Sequence, residues 1–479
     1  MRTTPLSATL VFTLLNFLQP AVNVFLLPLY LQVLPAEEYA IYTFMNNLSS
    51  LIIIIGALRV SAAVITYYFD FSYNRQQLDA FMSTVTSFSL LAALSFFGAS
   101  LLLGPFLFDW LFKDESLQFF PYGILAIGSG LLYVVFSPYL LFVKNEKRVG
   151  HFALLQVLLV ALTVGLQVWL ILGLRQGAFG ALLAKLIAHS VLAVVILALV
   201  RKWLVLRWPS PAHWLYLRKA LYFSIPLLPF LIINWLNVFG DRFFVERYFD
   251  LTTLGTYGVL MTIAGMIPMA LDAVINGIRP FLFDYFSKGI PQHQSAIDQL
   301  FQLYFAVMAL AISGIILVGT NIGLITNNPD YLAIIPYLPV AALLYASRAY
   351  IFLFNQQLMY SKQTALISTL SIVLLILLAL AFFTLIPRFG IWGALAANGG
   401  VSAVVAVLFG VVAQRPPIAI GINGRIFWLQ PSLILFTIAL VSVGAYAGYY
   451  SFPQFGIYQF ILTLFLLFLF LRNELLSLI

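Results

Sequence analysis

Long, uninterrupted apolar runs are the feature that most constrains this chain. Residues 366–383, for example, contain no charged side chain, and only 8% of the 479 residues are charged. A soluble protein carries about 25% charged residues, so this chain could not cover a water-facing surface of its own size. A helical membrane span needs about 20 apolar residues, whereas a barrel strand shows about 9–11 of alternating pattern. The runs therefore predict an all-α, polytopic membrane protein.

The apolar runs predict about fourteen transmembrane helices. Turn residues and charges separate most of them clearly, and the last two are separated only by residues 451–456. The predicted spans are residues 8–33, 40–67, 80–107, 119–143, 151–173, 177–200, 220–246, 252–281, 300–320, 331–357, 364–386, 390–413, 426–450 and 455–472.

The basic residues predict the orientation of these spans. Fifteen Lys and Arg residues fall in one alternate set of loops and termini, and four fall in the opposite set. Lys and Arg concentrate on the cytoplasmic side of a membrane protein, so both termini are expected in the cytoplasm. This arrangement requires an even number of spans. The membrane is expected to be the bacterial cell (inner) membrane. The net charge of +8 then reflects topology, and we expect no nucleic-acid partner.

The loops and motifs do not indicate an enzyme. Every predicted outward loop is short, and the one that holds Glu37 and Glu38 spans only residues 34–39. The sequence has no phosphate-binding G-x-x-x-x-G-K-[ST] loop and no H-E-x-x-H motif, and its four histidines lack the spacing of metal ligands. We therefore expect no catalytic residues, no metal site and no cofactor.

The sequence also predicts an internal repeat. A basic connection at residues 201–219 separates an N-terminal lobe, residues 1–200 with helices 1–6, from a C-terminal lobe, residues 220–413 with helices 7–12. Helices 13 and 14 follow in residues 426–479. At an offset of 218 residues, a polar stripe in span one matches a polar stripe in span seven, which indicates two pseudo-symmetric six-helix lobes. The stripe consists of Asn16, Gln19, Asn23, Asn234 and Asn237, and the residue that matches Asn23 is Asp241.

Three stretches carry a resemblance to a known family. They read F-L-L-P-L-Y-L-Q-V-L-P-A-E-E-Y-A-I-Y at residues 25–42, S-I-P-L-L-P at 224–229 and G-D-R-F-F-V-E-R-Y-F-D-L-T-T-L-G-T-Y-G at 240–258. With the 6+6+2 layout, the chain resembles the oligosaccharide flippases, which export O-antigen and capsule repeat units. These belong to one superfamily with the multidrug and toxin extruders and the peptidoglycan-precursor flippases.

This resemblance implies a function and partners. The chain would be a bacterial flippase that moves polyprenyl-pyrophosphate-linked oligosaccharides from the cytoplasmic to the outer leaflet by alternating access. Its partners would be the lipid-linked glycan and membrane lipids, together with a glycan polymerase or export machinery. Transport by related exporters is coupled to ion gradients, and whether a proton or a sodium ion serves here is open.

Charged residues inside the predicted spans are the candidate site. An ionised side chain at the centre of a span costs about 2.5–3.5 kcal/mol, so it usually faces a cavity or a partner. Five bases against two acids predict a cationic lumen that suits a pyrophosphate. The basic candidates for substrate binding are Arg59, Lys185, Arg242, Arg279 and Arg348.

The acids and amides have alternative interpretations. Asp241 and Asp272 are candidates for ion coupling, although Asp241 could pair with a neighbouring helix and Asp272 could reach Arg279 through Asn276 on one helix face. Because Asp241 and Arg242 are adjacent and point in different directions, they need not pair with each other. The amides of the polar stripe could line the cavity or could join helices by hydrogen bonds. Arg279 and Arg348 could also extend towards the headgroups.

Three other functions stay open at this point. A cation-coupled multidrug exporter of the same superfamily would be expected to have an acidic lumen. A sugar carrier of the major-facilitator type would share the 6+6 layout but would carry a Gly/Asp/Arg-rich loop between spans two and three, where this chain reads Y-Y-F-D-F-S-Y-N-R-Q-Q-L-D. A peptidoglycan-precursor flippase would be expected to carry arginines in span one, and this chain has none between Pro5 and Glu37.

Overall fold

The structure is a computed structural model of the 479-residue chain. It describes residues 22, 24–203, 211–288, 290–413, 461 and 464. The described residues form helices and short connections and contain no β-strand, which confirms the all-α fold class. Nine helical segments among them are long and apolar enough to cross a membrane. Predicted span thirteen, all of span fourteen except residues 461 and 464, and most of span one lie outside the described residues.

The described helices group into two compact units, Met1–Gly255 and Thr256–Ile479. In the first unit α1 and α2 are joined at Leu34–Pro35, and α4 is the longest helix with 37 residues. A π-helical turn, Phe119–Gly123, precedes α5, and another, Trp169–Gly173, follows α6. The helices of this unit are α1 (Val24–Val33), α2 (Ala36–Ile55), α3 (Ala62–Phe71), α4 (Arg75–Leu111), α5 (Ile124–Asn145), α6 (Val149–Val168), α7 (Gly177–Leu199), α8 (Pro211–Ser224) and α9 (Leu227–Tyr248).

Predicted span two is a broken helix. Its residues form α2 and α3, which are separated by six residues at Gly56–Ser61. Leu58 and Arg59 adopt positive φ angles of 50° and 54° within this break. Such angles are uncommon for residues other than glycine, and irregular backbone at membrane depth occurs where protein or a cavity surrounds it. The break therefore marks span two as a place where backbone structure departs from a simple span.

The first unit has a continuous apolar core. Helices α2, α4, α5, α6 and α7 pack on one another, and α8 covers the ends of α3 and α4. The fully buried rings of Phe81 and Phe136 belong to this core, together with Leu192 of α7. The 3₁₀ turn Arg201–Trp203 is fixed onto α4, because the Trp203 indole donates to Asp79 and the Trp203 carbonyl accepts from Ser83.

The second unit is a bundle in which α11, α12, α14 and α15 pack on one another. Helix α15 is interrupted at Gly390 (φ 57°), where predicted spans eleven and twelve meet. Tyr304, Phe305, Tyr331 and Phe354 are among its fully buried side chains. The remaining helices are α10 (Leu251–Ala264), which begins in the first unit, α11 (Met266–Lys288), α12 (Ile290–Thr320), α13 (Pro329–Leu332), α14 (Leu338–Tyr360) and α15 (Thr364–Ala413).

The boundary between the compact units lies after Gly255. Helix α9, the predicted first helix of the C-terminal lobe, packs on α2 and α8 and so groups with the first unit. The predicted division into lobes at residues 201–219 describes the repeat in the sequence and stays a prediction.

Candidate functional site

Lys185 is the central cation of the first unit. Its ammonium group donates to the Asn46 side-chain oxygen at 2.8 Å and to the Ser49 hydroxyl at 3.1 Å. Both partners belong to α2, so one turn of α7 is joined to α2 through neutral groups. Among the described residues, no carboxylate lies within ion-pairing distance of Lys185. Its positive charge is therefore solvated by dipoles and is not neutralised.

His189 lies one turn further along α7 and has a different role. Its Nδ1 lies 2.7 Å from the carbonyl oxygen of Ser129 in α5 and must donate to it, because a carbonyl only accepts. The ring is buried against Phe136 and Tyr133. The Ser129 hydroxyl also lies 3.0 Å from that of Ser49, so the histidine and the lysine are linked through two serines.

Arg59 lies in the break between α2 and α3 and is half-buried. No carboxylate lies within ion-pairing distance of Arg59 in the part of the chain that the structure describes. Arg59 and Lys185 are thus two cations of one unit, inside predicted spans, without a neutralising partner there.

The polar residues of α9 do not act as separate cavity groups. Arg242 donates to its neighbour Asp241 at 3.1 Å and to the Val238 carbonyl at 3.1 Å, and both charged side chains are buried. The Arg242 guanidinium also lies over the Phe239 ring, 5.1 Å from its centre. Adjacent side chains do pair here, because the long arginine bends back along the helix. Asp241 and Arg242 together therefore add no net charge.

The predicted polar stripe is only partly described. Asn237 is buried and Asn234 is half-buried in α9. Asn16, Gln19 and Asn23 lie outside the described residues. A contact that the stripe did not predict joins α9 to α2, since the Trp235 indole donates to the Ser50 hydroxyl at 2.8 Å.

Arg348 of the second unit contacts an amide, a hydroxyl and an aromatic ring. Its guanidinium donates to the Asn398 side-chain oxygen at 3.0 Å, approaches the Ser402 hydroxyl at 3.5 Å and lies over the Tyr345 ring at 5.2 Å. Asn398 in turn donates to Tyr257 at 3.4 Å. Arg348, Asn398 and Tyr345 line a small pocket, which combines a cation, an amide and an aromatic ring. The remaining lining residues are Met261, Ala341, Leu344 and Leu395.

Arg279 and Asp272 lie on α11 of the same unit. Arg279 is half-buried and donates to the Gln356 side chain of α14 at 2.6 Å, so it does not extend freely towards the headgroups. Asp272 is exposed, and it forms no ion pair with Arg279. The relay through Asn276 is not formed, because the arginine is directed to α14. Asp272 therefore presents a carboxylate on a surface that no described residue covers.

Two carboxylates outside the predicted site join distant parts of the first unit. Glu246 of α9 accepts from the backbone N–H groups of Lys113 and Asp114 at 2.7 and 3.0 Å. Glu38 accepts from the N–H of Ala178 at the start of α7. Sequence patterns contain no signal for such long-range acceptors. Glu38 thus connects the start of α2 with the start of α7.

The cations therefore have a shared chemical character. Lys185, Arg59 and Arg279 lie within predicted spans, and the hydrogen bonds of Lys185 and Arg279 to described residues go to amides and a hydroxyl. The described residues contain no group of three or more ligands that could hold a metal ion. Guanidinium and ammonium groups with neutral partners can bind an anionic ligand. Amide and tyrosine side chains beside them can form hydrogen bonds with the hydroxyl groups of a ligand.

Comparison with solved structures shows a fold of membrane transporters. The chain is similar over 97% of its length to all of the lipid II flippase MurJ in its inward closed conformation, with a TM-score of 0.72 and 12% identity. It is also similar, over 87% of its length, to 96% of an inward-facing multidrug resistance transporter of the MATE family and MOP superfamily, with a TM-score of 0.61 and 14% identity. No protein-family profile and no curated protein sequence matches the chain.

The chain shares the fold of these two solved structures, which is the fold that the predicted resemblance implies. At 12–14% identity the likeness concerns the fold alone, so the cargo must be argued from the residues.

Proposed function

We propose that this protein is a flippase for polyprenyl-pyrophosphate-linked oligosaccharides. It would take up the lipid-linked glycan at the cytoplasmic face and release it in the outer leaflet by alternating access through a cationic central cavity. The lipid II flippase MurJ, a neighbour in fold, supports a lipid-linked glycan as the class of cargo.

One observation carries the proposal: Lys185 lies inside a predicted span, and its hydrogen-bond partners among the described residues are an amide and a hydroxyl. A charge in that position costs about 2.5–3.5 kcal/mol, and a carboxylate partner would have neutralised it if its role were structural. An anionic cargo supplies the missing charge only while it is bound. Lysine is a good phosphate binder, and Arg59 of the same unit adds a second donor group.

The other polar groups fit the glycan end of the cargo. In the second unit, the Tyr345 ring and the amide of Asn398 stand beside Arg348, an arrangement that suits sugar hydroxyls and an acidic group together. A cation-coupled drug exporter would instead be expected to present acids. Asp272, an exposed carboxylate of α11, is the candidate for ion coupling, with the proton or sodium ion still to be identified.

The proposal is tested by flipping in liposomes that hold the purified full-length protein. Outward movement of a labelled polyprenyl-pyrophosphate glycan is measured with and without an imposed pH or sodium gradient. We expect Arg59→Ala and Lys185→Gln each to reduce flipping by at least about ten-fold, because each removes one direct contact to the charged cargo. Arg388→Gln, which removes an exposed arginine of α15 near its interruption at Gly390, is the matched control and should flip normally.

A different set of results would overturn the proposal. Gradient-driven efflux of an organic cation, without movement of any lipid-linked glycan, would indicate the multidrug exporter. Flipping of a lipid-linked peptidoglycan precursor in preference to oligosaccharides would indicate a peptidoglycan-precursor flippase. Flipping that both variants retain would show that the two cations do not contact the cargo.

A further inference from the structure

Helix α8 presents an unusual face to its surroundings. Trp214 is 57% exposed, Tyr222 is 83% exposed, and Leu215 and Ile225 are each about half exposed. These residues follow one another at helical spacing, with exposed Arg218 among them. The helix has 14 residues and is about 21 Å long, shorter than a hydrocarbon core of about 30 Å. Residues 225 and 226 separate it from α9, and its first nine residues precede predicted span seven, residues 220–246.

The opposite face of α8 fixes its depth. Leu217 and Ala220 are buried, and the Tyr216 ring packs against Phe71, the last residue of α3, at 5.2 Å. Phe223 packs one turn deeper, against Tyr67 at 6.0 Å. Because α3 ends and α4 begins here, α8 lies at the level where this part of the chain leaves the membrane, on the side that the basic residues predict to be cytoplasmic.

The segment around α8 is strongly basic. Residues 200–225 contain five Lys and Arg residues and no Asp or Glu. Lys219 lies with its ammonium 5.5 Å from the centre of the Phe71 ring, while Arg218 points outward among the exposed aromatic and aliphatic side chains. An isolated water-facing helix would not combine this apolar area with an absence of acids, whereas an interfacial helix does.

We propose that the outward face of α8, formed by Trp214, Leu215, Arg218, Tyr222 and Ile225, binds anionic phospholipids at the cytoplasmic surface of the bilayer. The aromatic and aliphatic side chains enter the region between headgroups and acyl chains, where tryptophan and tyrosine are favoured. Arg218 then meets the lipid phosphates, and the negative surface potential of that leaflet attracts the whole segment. This lipid site is separate from the proposed transport site and does not depend on the identity of the cargo.

The absence of cysteine from the chain allows a direct test. Tyr222→Cys is labelled in the full-length protein, which is reconstituted into phosphatidylcholine alone or mixed with phosphatidylglycerol. A spin label reports depth through its collisions with oxygen and with a water-soluble nickel chelate. A fluorophore at the same position reports the local lipid through quenching by brominated phosphatidylglycerol or brominated phosphatidylcholine.

We expect the spin label at headgroup depth and stronger quenching by the anionic lipid. Arg218→Gln should reduce the preference for phosphatidylglycerol about five-fold, the effect of one basic residue near an anionic surface. Lys147→Gln, which removes an exposed lysine from the loop after α5, is the matched control and should leave the preference unchanged. A water-exposed label would overturn the proposal and indicate a soluble protein partner. Equal quenching by both lipids, or a preference that Arg218→Gln does not change, would also overturn it.

Discussion

Arg242 donates a hydrogen bond to its neighbour Asp241 across 3.1 Å, and the two form a buried ion pair on a single turn of α9. Removal of one partner from a buried pair leaves the other charge without compensation, which costs about 3–5 kcal/mol. We therefore expect Asp241→Asn and Arg242→Gln each to lower the free energy of unfolding by about 3 kcal/mol. The double variant should be more stable than the sum of the single effects predicts.

A double-mutant cycle on thermal or denaturant unfolding measures this coupling. A coupling energy near zero would show that the pair is not structural. In that case Asp241 would return as a candidate for ion coupling, and the gradient dependence of flipping in Asp241→Asn would decide its role.

Glu38 stabilises the start of α7 from outside the helix. Its carboxylate accepts from the Ala178 N–H at 2.9 Å, one of the N–H groups that a helix start leaves without an internal partner. Loss of such a cap costs about 1 kcal/mol, so Glu38→Ala should lower unfolding stability by about that amount. Glu37→Ala is the control, because exposed Glu37 makes only a hydrogen bond of 3.2 Å with Thr252, and its effect should stay within about 0.5 kcal/mol.

Gly177 makes the approach of Glu38 to α7 possible. Its φ angle is 53°, and a Cβ atom at this position would overlap the Glu38 carboxylate. Gly177→Ala should therefore cost about 2 kcal/mol or more of unfolding free energy, since a left-handed conformation alone costs a side chain about 1–2 kcal/mol. Gly150→Ala meets no atom within 4 Å and should be neutral or slightly stabilising. Equal melting temperatures for the two variants would contradict this account.

Glu246 holds the connection that follows α4. Its carboxylate accepts two backbone N–H groups, from Lys113 and Asp114, while its side chain is almost completely buried. Glu246→Ala should lower the free energy of unfolding by about 1–3 kcal/mol, because the two backbone N–H groups lose their hydrogen-bond acceptor. It should also speed amide hydrogen exchange at residues 113 and 114. Glu115→Ala removes an exposed carboxylate from the same connection and should change neither measurement.

The sequence predicted the helices well because apolar length is a local property. The spans predicted at 119–143 and 177–200 correspond to Phe119–Asn145 and Gly177–Leu199. It did not predict the break in span two, since a single arginine and a glycine at residues 56–61 still fit within a long apolar run and hydropathy carries no information on φ angles. Leu58 and Arg59 leave the helix because of their three-dimensional surroundings, which no window of sequence contains.

The sequence predicted which residues of the candidate site are unusual, but it did not predict which residues they contact. Intramembrane charge marks Lys185, Arg59 and Arg348 as unusual, and their cavity roles stay predictions. That Lys185 bonds Asn46, across 139 positions of sequence, is a property of helix packing. The pairing of Asp241 with Arg242 was not expected because ideal helix directions ignore the reach and flexibility of an arginine side chain.

Arg348 gives the sharpest functional prediction outside the first unit. Its planar guanidinium bonds Asn398 while it stacks on Tyr345, and a lysine ammonium cannot reproduce both contacts. Arg348→Lys should therefore reduce glycan flipping in liposomes by about ten-fold and change unfolding stability by less than about 1 kcal/mol. Arg388→Lys, the same exchange at an exposed position, should leave flipping unchanged. If Arg348→Lys flips at the normal rate, charge alone is sufficient at this position, and the ordered arrangement around the guanidinium serves the packing of α14 on α15.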